Sequence, residues 1–356
     1  MGGTTGHRVY PGTEYRPGLL SPEVTRVERR WCRGFPFEAG FHYVQLAEGV
    51  NRPDPRSREG LRSLLGAHDT RAIRRLGQHF LVDRAILDNI ADLVAAAAGK
   101  PVLEIGAGPG ALTYTLADRG IQVVALEIDA RLTRILEEGA RASYPGLITV
   151  LQQDALRISW AEVARQAGWL EPITVVGNLP YYITGPLLAK LWQDPLGWTR
   201  AVLMVQQEVA VRVAAEPGTR ASGAVSVLMR WIGHPRLADT VSREHFYPVP
   251  AVDSALLVID RRPAPPAVPF EVLAWWVEAG FRHRRKMLRQ ALALASGPRW
   301  AKAQWDLHLR RCGIDGSRRA ESLTMEEWLG LAASLPESAI LGKLEYNKAK
   351  SREPEP

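Results

Sequence analysis

The feature that most constrains the fold of this 356-residue chain is a regular alternation of short apolar runs with amphipathic stretches. The apolar runs are as long as buried strands, whereas the amphipathic stretches have the period of helices. Strands and helices that alternate in this way build a mostly parallel sheet with helices on both faces. We therefore predict a doubly wound α/β domain whose first five strands lie at residues 102–105, 123–128, 148–151, 173–176 and 201–205.

The N-terminal part of the chain differs in composition from the rest. Residues 1–59 are rich in Gly, Pro and Arg and lack an apolar period. We interpret them as a largely disordered extension, or as the product of a wrongly chosen start codon. Residues 60–261 carry the α/β pattern, and their last two apolar segments, 237–241 and 255–259, are expected to pair at one edge of the sheet.

A proline-rich linker at residues 263–269 ends the α/β pattern. Residues 262–342 are predicted to form a small all-helical domain, and residues 343–356 a flexible polar tail. Its helices are predicted at residues 270–279, 284–294, 300–312 and 325–333. Its tryptophans are interpreted as helical core rather than as platforms for bases: Trp275, Trp276, Trp300, Trp305 and Trp328.

Charge and cysteine content narrow the class of protein. The net charge of +7 favours a polyanionic partner such as nucleic acid, although a basic soluble protein is an equally good explanation of charge alone. Cys32 and Cys312 lack the spacing of a zinc site or a disulfide framework, which fits a reducing cytoplasm. No apolar run has transmembrane length, and the N-terminus has no secretory signal core.

A glycine-rich segment, residues 104–110, follows the first strand and opens a helix. Gly106 and Gly108 let the backbone turn tightly and approach a ligand closely. With Ala111 the segment also satisfies the dinucleotide-binding pattern, and Glu127 occupies the position of a ribose-binding acid. The glycines by themselves therefore leave a dehydrogenase open as an alternative.

Acidic residues at three consecutive strand ends argue against a dinucleotide. Glu104 ends the first strand, Glu127 ends the second, and Asp154 follows the third. A pyrophosphate above Glu104 would be repelled, whereas the cationic methionine end of S-adenosylmethionine would not be. Each acid alone is equally well explained as a helix N-cap. The ordered set favours a cofactor with a ribose, an adenine and a positive charge.

The tetrapeptide Asn178, Leu179, Pro180 and Tyr181 follows the fourth strand, where open sheets bind ligands. The Asn178 side-chain oxygen and the Leu179 carbonyl can accept the two N6 hydrogens of an adenine. Pro180 has no N–H to compete with them, and Tyr181 can stack on the base. In isolation this tetrapeptide is typical of a turn. Beside the three acids it indicates methyl transfer to an adenine amine.

These residues resemble a known family. Residues 61–335 are similar to the KsgA/RsmA family of small-subunit rRNA adenine dimethyltransferases, a branch of the group that includes the Erm resistance methylases. Besides the segments described above, four motifs carry the resemblance: residues 76–81 (LGQHFL), 246–254 (FYPVPAVDS), 281–292 (a basic helix with FRHRRKML) and 319–323 (RAESL).

The resemblance implies a Rossmann-like S-adenosylmethionine methyltransferase domain followed by a helical domain that binds RNA. It implies cofactor contacts at His79, Leu81, Gly106, Glu127, Asp154 and Asn178, and Gln78, Glu104 and Gly108 complete the predicted cofactor site. It also implies that Phe246 packs against a flipped adenine opposite Tyr181. The residues predicted to bind RNA are Arg282, Arg284, Arg285, Lys286 and Arg289, although a charge cluster of this kind is also typical of a solvated helix face.

Three residues depart from the pattern of the family. His79 stands where Asn is usual, which a backbone contact tolerates. Ala251 stands where Lys is frequent, which removes one phosphate contact, and Gln290 replaces the usual Asn. None of the three belongs to the proposed chemistry.

The leading prediction is dimethylation, by S-adenosylmethionine, of the N6 amines of two adjacent adenosines in the 3′-terminal hairpin loop of 16S rRNA. The expected partner is 16S rRNA or the assembling 30S subunit, without a metal and without a membrane. The alternatives are an Erm-type enzyme acting on 23S rRNA and a non-catalytic ribosome-assembly factor on the same fold. We expect a monomeric, cytoplasmic protein.

Overall fold

The computed structural model describes residues 52–97, 101–169, 172–193, 197–296 and 301–334. The predicted extension therefore enters the structure only from Arg52 onward, and Trp300 and the predicted tail lie outside the described residues. The described strands are β1 (Phe80–Leu81), β2 (Val102–Ile105), β3 (Val123–Glu127), β4 (Ile148–Gln152), β5 (Ile173–Asn178), β6 (Trp198–Gln206), β7 (Gly233–Val241), β8 (Phe246–Tyr247) and β9 (Ser254–Arg261). The described helices are α1 (Arg58–Ala67), α2 (Arg84–Ala95), α3 (Ala111–Ala117), α4 (Ala130–Ser143), α5 (Trp160–Gln166), α6 (Thr184–Gln193), α7 (Gln207–Ala214), α8 (Ala224–Ile232), α9 (Phe270–Phe281), α10 (Leu288–Ser296), α11 (Lys302–Arg311) and α12 (Met325–Ser334).

Within the described residues, seven strands form one sheet in the order β4-β3-β2-β5-β6-β9-β7. The strands β2 to β6 run parallel to their neighbours, whereas β9 lies antiparallel to β6 and β7 lies antiparallel to β9. The mostly parallel, doubly wound sheet predicted from the sequence is confirmed. So is the pairing of residues 237–241 with residues 255–259 at one edge of the sheet.

The order of the strands creates a ligand-binding crevice. Strand β2 is buried on both faces, with Leu103 and Ile105 in one hydrophobic core and Val102 in the other, as a central parallel strand requires. The chain leaves β2 toward β3 and β4 and then returns to the opposite side of β2 as β5. This reversal separates the loops at the carboxyl ends of β2 and β5, and sheets of this kind bind ligands there.

The predicted helix at residues 284–294 begins later than expected. Helix α9 ends at Phe281, residues 282–287 form a turn, and α10 begins at Leu288. The N–H of Leu288 donates to the Arg318 carbonyl at 2.7 Å, and the N–H of Arg289 donates to the Gly316 carbonyl at 3.1 Å. These bonds tie the start of α10 to the loop before α12. The basic segment is therefore a connecting turn rather than a continuous helix.

The C-terminal helices pack directly against helix α8. Val227 and Leu228 of α8 share one hydrophobic cluster with Trp276, Trp305 and Trp328, and all three tryptophans are buried. The interpretation of these tryptophans as helical core is confirmed for the three. This cluster contains residues from both sides of residue 262, so the α/β part and the helical part share a hydrophobic core. The division into two domains at residue 262 remains a prediction.

Residues 52–57, which were expected to belong to the disordered extension, pack on the folded chain. Arg56 forms ion pairs with Asp54 at 2.9 Å and with Asp118. Pro55 is buried. Helix α1 follows the Ser57 N-cap and buries its leucines against α4. The boundary of the folded part therefore lies N-terminal to residue 60. The sequence does not reveal this boundary because the apolar period of so short a helix is hard to recognise.

Substitution of Gly60 tests whether residues 52–57 pack against helix α1. A Cβ at Gly60 would lie 2.1 Å from the Asp54 carbonyl oxygen, so the segment would have to move. We expect Gly60→Ala to lower the free energy of unfolding by about 1–3 kcal/mol in urea denaturation. The matched control is Gly66→Ala in the same helix, where nothing lies within 4 Å of the new Cβ. It should stabilise the protein by up to about 1 kcal/mol. Equal stability of the two variants would contradict the packed position of residues 52–57.

Candidate active site

One crevice at the carboxyl ends of β2, β3 and β5 brings most of the predicted site residues together. Strands β1 and β8 and the loop after β4 complete its walls. The predicted residues that line it are Gln78, His79, Gly106, Gly108, Glu127, Asp154, Asn178, Leu179, Pro180, Tyr181 and Phe246. Leu81 and Glu104, which were predicted to contact the cofactor, are buried and do not line it.

The glycines of the loop after β2 keep the crevice open. Gly106 has a φ of 72° and Gly108 a φ of 57°, a region of the backbone that favours glycine. A Cβ at Gly106 would stand 3.8 Å from the Asn178 carbonyl oxygen and from Pro180 Cδ. A Cβ at Gly108 would stand 3.0 Å from Phe80 Cε1. Side chains at these positions would therefore fill the space that a ligand needs.

Glu127 binds the glycine loop through its carboxylate. Its Oε2 accepts the Gly108 N–H at 2.8 Å, and its Oε1 accepts the Asp129 N–H at 2.9 Å. Burial raises the pKa of Glu127, and these two bonds oppose the rise. Each oxygen retains a lone pair for a neighbouring hydroxyl such as those of a ribose. Because the Gly108 N–H is already bound to a carboxylate, it is not available to hold a pyrophosphate.

The charges of the crevice fit S-adenosylmethionine better than a dinucleotide. Glu127 and Asp154 contribute carboxylates, and the described lining contains no Lys or Arg to balance a diphosphate. Asp154 Oδ1 accepts the Leu156 N–H at 2.9 Å, which orients the carboxylate at the end of β4. Beside Glu127, the side chain of Ile128 is 51% exposed and offers an apolar surface to a nucleoside base.

Glu104 points from β2 toward helix α3 instead of into the crevice. Only 2% of it is exposed, and its Oε2 accepts the hydroxyl of Thr113 at 2.7 Å. Side chains alternate along a strand, so Glu104 faces α3 while its neighbour Ile105 lines the crevice. Burial raises the pKa of Glu104 to about 8; the Thr113 bond opposes this rise and the charge of Glu127 adds to it. Glu104 therefore lies behind the glycine loop, and its contact with the cofactor stays a prediction.

The raised pKa of Glu104 predicts a pH-dependent stability. The folded state holds a proton that the unfolded chain, with an ordinary pKa of 4.5, releases. The contribution of Glu104 to stability is complete below about pH 4.5 and is lost as the pH rises through about 8. Glu104→Gln imitates the neutral form, so its melting temperature should rise relative to wild type from about pH 5 to about pH 8. The exposed Glu59→Gln is the control and should show a constant difference. A constant difference for Glu104→Gln as well would contradict the raised pKa.

Asn178 is oriented by the N-terminal motif. Its Nδ2 donates to the His79 carbonyl oxygen at 2.8 Å. A carbonyl can only accept, so this bond assigns the amide orientation and turns Oδ1 away from His79. Within the part of the chain that the structure describes, no protein donor engages Oδ1. It is thus free to accept a hydrogen bond, as the hypothesis from the sequence requires.

His79 connects the Asn178 tetrapeptide to residues 246–254. Its ring stacks on Tyr181 with centroids 6.1 Å apart, and its Nδ1 lies 2.7 Å from the Pro248 carbonyl oxygen. The Tyr181 hydroxyl in turn lies 3.4 Å from Ser254 Oγ. The histidine at this position, where the resemblance leads us to expect Asn, therefore adds a ring contact to the backbone contact.

Strands β1 and β8 pair antiparallel and form one wall of the crevice. Phe80 lies opposite Tyr247, and Leu81 lies opposite Phe246. Phe80 and Phe246 line the crevice, whereas Leu81 packs in the hydrophobic core. Phe80 is the residue of β1 that lines the crevice, and the cofactor contact of Leu81 stays a prediction. Phe246 is 1% exposed, so its ring forms a buried wall, and stacking on a target base stays a prediction.

Reasoning from the sequence missed several residues that line the crevice. Phe80, Ile128 and Tyr182 are among them. Phe80 lies inside the motif at residues 76–81, and Ile128 directly follows Glu127, which ends β3. Both residues could therefore have been predicted from their position beside other predicted site residues. Tyr182 is 57% exposed at the crevice. Burial raises the pKa of Tyr182, and the charges of Asp154 and Glu127 add to the rise.

The residues predicted to bind RNA divide into two groups. Arg284 donates to Glu321 Oε2 at 2.9 Å and to the Arg220 carbonyl at 3.1 Å, which joins the turn to the loop after α7. Arg289 binds Asp306 at 3.3 Å inside the helical bundle. These two arginines therefore have intramolecular partners. The remaining three are exposed on the turn: Arg282, Arg285 and Lys286.

Other features of the described residues give no second site. Among them, no group of three or more His, Cys, Asp and Glu side chains is placed to hold a metal ion. Cys312 is a free thiol, and Cys32 lies outside the described residues. In the same part of the chain, no helix is long and apolar enough to cross a membrane.

Comparisons with known proteins identify the family. Residues 70–336 match the family described as Ribosomal RNA adenine dimethylase. The chain belongs to this family. A ribosomal RNA small subunit methyltransferase A from Novosphingobium aromaticivorans is 39% identical over 280 residues, which cover 77% of this chain and 97% of the relative. The protein of the same name from Anaeromyxobacter dehalogenans is 40% identical over 284 residues, again 77% of this chain and 97% of the relative.

Solved structures agree with this membership. The 23S rRNA methyltransferase ErmE is 28% identical with a TM-score of 0.57, covering 72% of this chain and 99% of that one. A dimethyladenosine transferase from Plasmodium falciparum, at 22% identity and a TM-score of 0.59, covers 70% and 94% and supports the fold. As a ribosomal RNA adenine dimethylase, the protein is a methyltransferase that uses S-adenosylmethionine, and both predictions are confirmed.

Proposed function

We propose that this adenine dimethylase transfers two methyl groups to each of two adjacent adenosines in the 3′-terminal hairpin loop of 16S rRNA during assembly of the 30S subunit. The observation that carries this proposal is the orientation of Asn178, whose Nδ2 is held by the His79 carbonyl so that Oδ1 stays free for an adenine amine. The choice of the small subunit is supported by relatives named small subunit methyltransferase A, which this chain covers over 97% of their length.

The residues that line the crevice fit S-adenosylmethionine. When bound, S-adenosylmethionine supplies an electrophilic methyl group on a sulfonium centre. Glu127 would accept hydrogen bonds from its ribose hydroxyls, and Asp154 would accept one from its adenine amine. Gly106 and Gly108 leave the space that the cofactor needs beside these acids.

The residues around the target base act by position rather than by acid–base chemistry. Asn178 Oδ1 and the Leu179 carbonyl accept the two N6 hydrogens, which orients the amine and enriches electron density on its nitrogen. Tyr181 faces the ring, and Phe246 closes the buried wall. The proton that N6 loses passes to solvent, because a methylated ammonium is acidic and needs no strong base. Holding the amine in line with the methyl group is the main source of rate.

The exposed cations of the turn after α9 hold the RNA backbone. Arg282, Arg285 and Lys286 can neutralise phosphates, so binding should weaken as the salt concentration rises. Arg284 fixes the turn against the loop after α7 and so sets its distance from the crevice. We further propose that the protein acts in the cytoplasm, and that it acts as a monomer, since the described lining of the crevice comes from one chain.

One experiment distinguishes this proposal from its alternatives. The protein is incubated with radiolabelled S-adenosylmethionine and, separately, under-methylated 30S subunits, naked 16S rRNA and 23S rRNA, and the label is mapped by primer extension. We expect label on adjacent adenosines near the 3′ end of 16S rRNA. Label on 23S rRNA alone would establish the Erm-type alternative, which the 28% identity to ErmE keeps in view. Cofactor binding without transfer to any RNA would favour the assembly factor.

A further inference from the structure

Helix α1 reaches the wall of the crevice although it precedes residues 70–336, the range that matches the dimethylase family. Its leucines Leu61, Leu64 and Leu65 pack in one cluster with Phe80 and with helix α4. The same helix therefore supports β1 from behind while Phe80 faces the crevice. This packing places the first residue of α1, Arg58, beside β8.

The side chain of Arg58 contacts both residues of β8 and the 3-10 turn that precedes it. Its Nη2 donates to the Glu244 carbonyl oxygen at 2.6 Å and to the Phe246 carbonyl oxygen at 3.2 Å. Its guanidinium carbon lies 5.8 Å from the centre of the Tyr247 ring, within the range of a cation–π contact. The Phe246 carbonyl belongs to the same residue whose ring forms the wall of the crevice.

The Phe246 carbonyl lies on the open edge of a two-stranded sheet, and the Glu244 carbonyl lies in the turn just before it. Strand β8 pairs with β1, and the Val82 N–H donates to the His245 carbonyl at 2.9 Å. Carbonyls alternate in direction along a strand, so the Phe246 carbonyl, next to that of His245, points away from β1. The Glu244 carbonyl belongs to the 3-10 turn before β8, and it accepts from the same nitrogen of Arg58. Two strands as short as these are only weakly held together by the hydrogen bonds between them. Arg58 supplies the donors that a third strand would otherwise give.

We propose that Arg58 is a positioning residue for methyl transfer, which fixes the Phe246 wall so that the target adenine is held against Asn178 and Tyr181. It touches neither the cofactor nor the base and acts through the backbone of β8. This inference rests on the proposed function, because it concerns the same adenine site. One guanidinium nitrogen binds both carbonyls while the same planar group lies over the Tyr247 ring. A lysine could bind the carbonyls but has no planar group to face the ring.

The variants that test this role are Arg58→Met, Arg58→Lys and Arg62→Met. The first removes the donors and keeps an unbranched stem, the second keeps one cation, and the third removes an exposed arginine of the same helix. Each variant of the full chain is assayed for kcat and KM on under-methylated 30S subunits, for cofactor affinity by calorimetry and for melting temperature. RNA with 2-aminopurine at the target position reports, by its fluorescence, whether the base is extruded and held.

We expect Arg58→Met to lower kcat by about tenfold, with cofactor affinity within about twofold of wild type. The fluorescence change of 2-aminopurine should shrink in parallel, Arg58→Lys should recover part of both, and Arg62→Met should match wild type. Equal kcat for Arg58→Met and Arg62→Met would overturn the proposal. So would a loss of cofactor affinity and melting temperature in proportion to kcat, because that result indicates general destabilisation. Absence of transfer by the wild-type protein would instead refute the proposed function itself.

Discussion

Replacement of Asn178 by alanine is expected to lower kcat for methyl transfer by about a thousandfold or more, because it removes the acceptor that orients the adenine amine. The bond from Nδ2 to the His79 carbonyl is lost with it, so the tetrapeptide also loses its link to the N-terminal motif. Single-turnover assays with labelled cofactor and under-methylated 30S subunits measure the effect on the chemical step.

Cofactor affinity separates this loss of geometry from a loss of the binding site. We expect Asn178→Ala to bind S-adenosylmethionine within about tenfold of wild type, because Glu127 and Asp154 are unchanged. Asn89→Ala is the matched control, since Asn89 binds Asp239 at 3.2 Å away from the crevice and should leave turnover unaltered. Turnover of Asn178→Ala near that of wild type would refute the proposed role of Asn178 in orienting the adenine amine.

Glu127→Gln is expected to weaken cofactor binding by about a hundredfold. The carboxylate accepts two backbone N–H groups, from Gly108 and Asp129, and a glutamine would turn an NH₂ group toward one of them. The substitution therefore disturbs the glycine loop and removes the charge that would bind the ribose. Isothermal titration calorimetry with S-adenosylmethionine measures the change directly.

The control for Glu127 is Glu138→Gln on the exposed face of α4. This substitution removes the same charge from the protein without touching the crevice, so its cofactor affinity should equal that of wild type. If Glu127→Gln binds as tightly as the control, the ribose is held by other residues. A fall in kcat at saturating cofactor with an unchanged Kd would contradict the assignment in the same way.

The mostly parallel sheet and the position of the crevice could be predicted from the sequence because both follow from local pattern. Buried parallel strands are continuous apolar runs, and polar residues at their carboxyl ends must meet at one edge of the sheet. Glu127, Asp154 and Asn178 were found in this way, and all three line the crevice.

What could not be predicted depends on tertiary contacts between distant residues. Side chains alternate along β2, so Glu104 faces Thr113 while Ile105 lines the crevice. The position of Glu104 in the motif had instead indicated a side chain in the crevice. Arg284 and Arg289 could not be told apart from the neighbouring cations in the sequence, and the structure shows that they bind Glu321 and Asp306. Helix α1 was missed because its apolar positions gain meaning only against α4.

The pairing of β1 with β8 affects the order in which the two parts of the active site form during folding. Phe80 lies before the first strand of the large sheet, whereas Tyr247, its partner, follows β7. A nascent chain can assemble β2 to β5 and their acids from local βαβ units, but the base-facing wall must wait for residues 246–247 to leave the ribosome. Contacts of such high sequence separation form late, since their loop-closure entropy must be overcome first. Folding intermediates should therefore acquire affinity for the cofactor before they acquire the ability to hold the base.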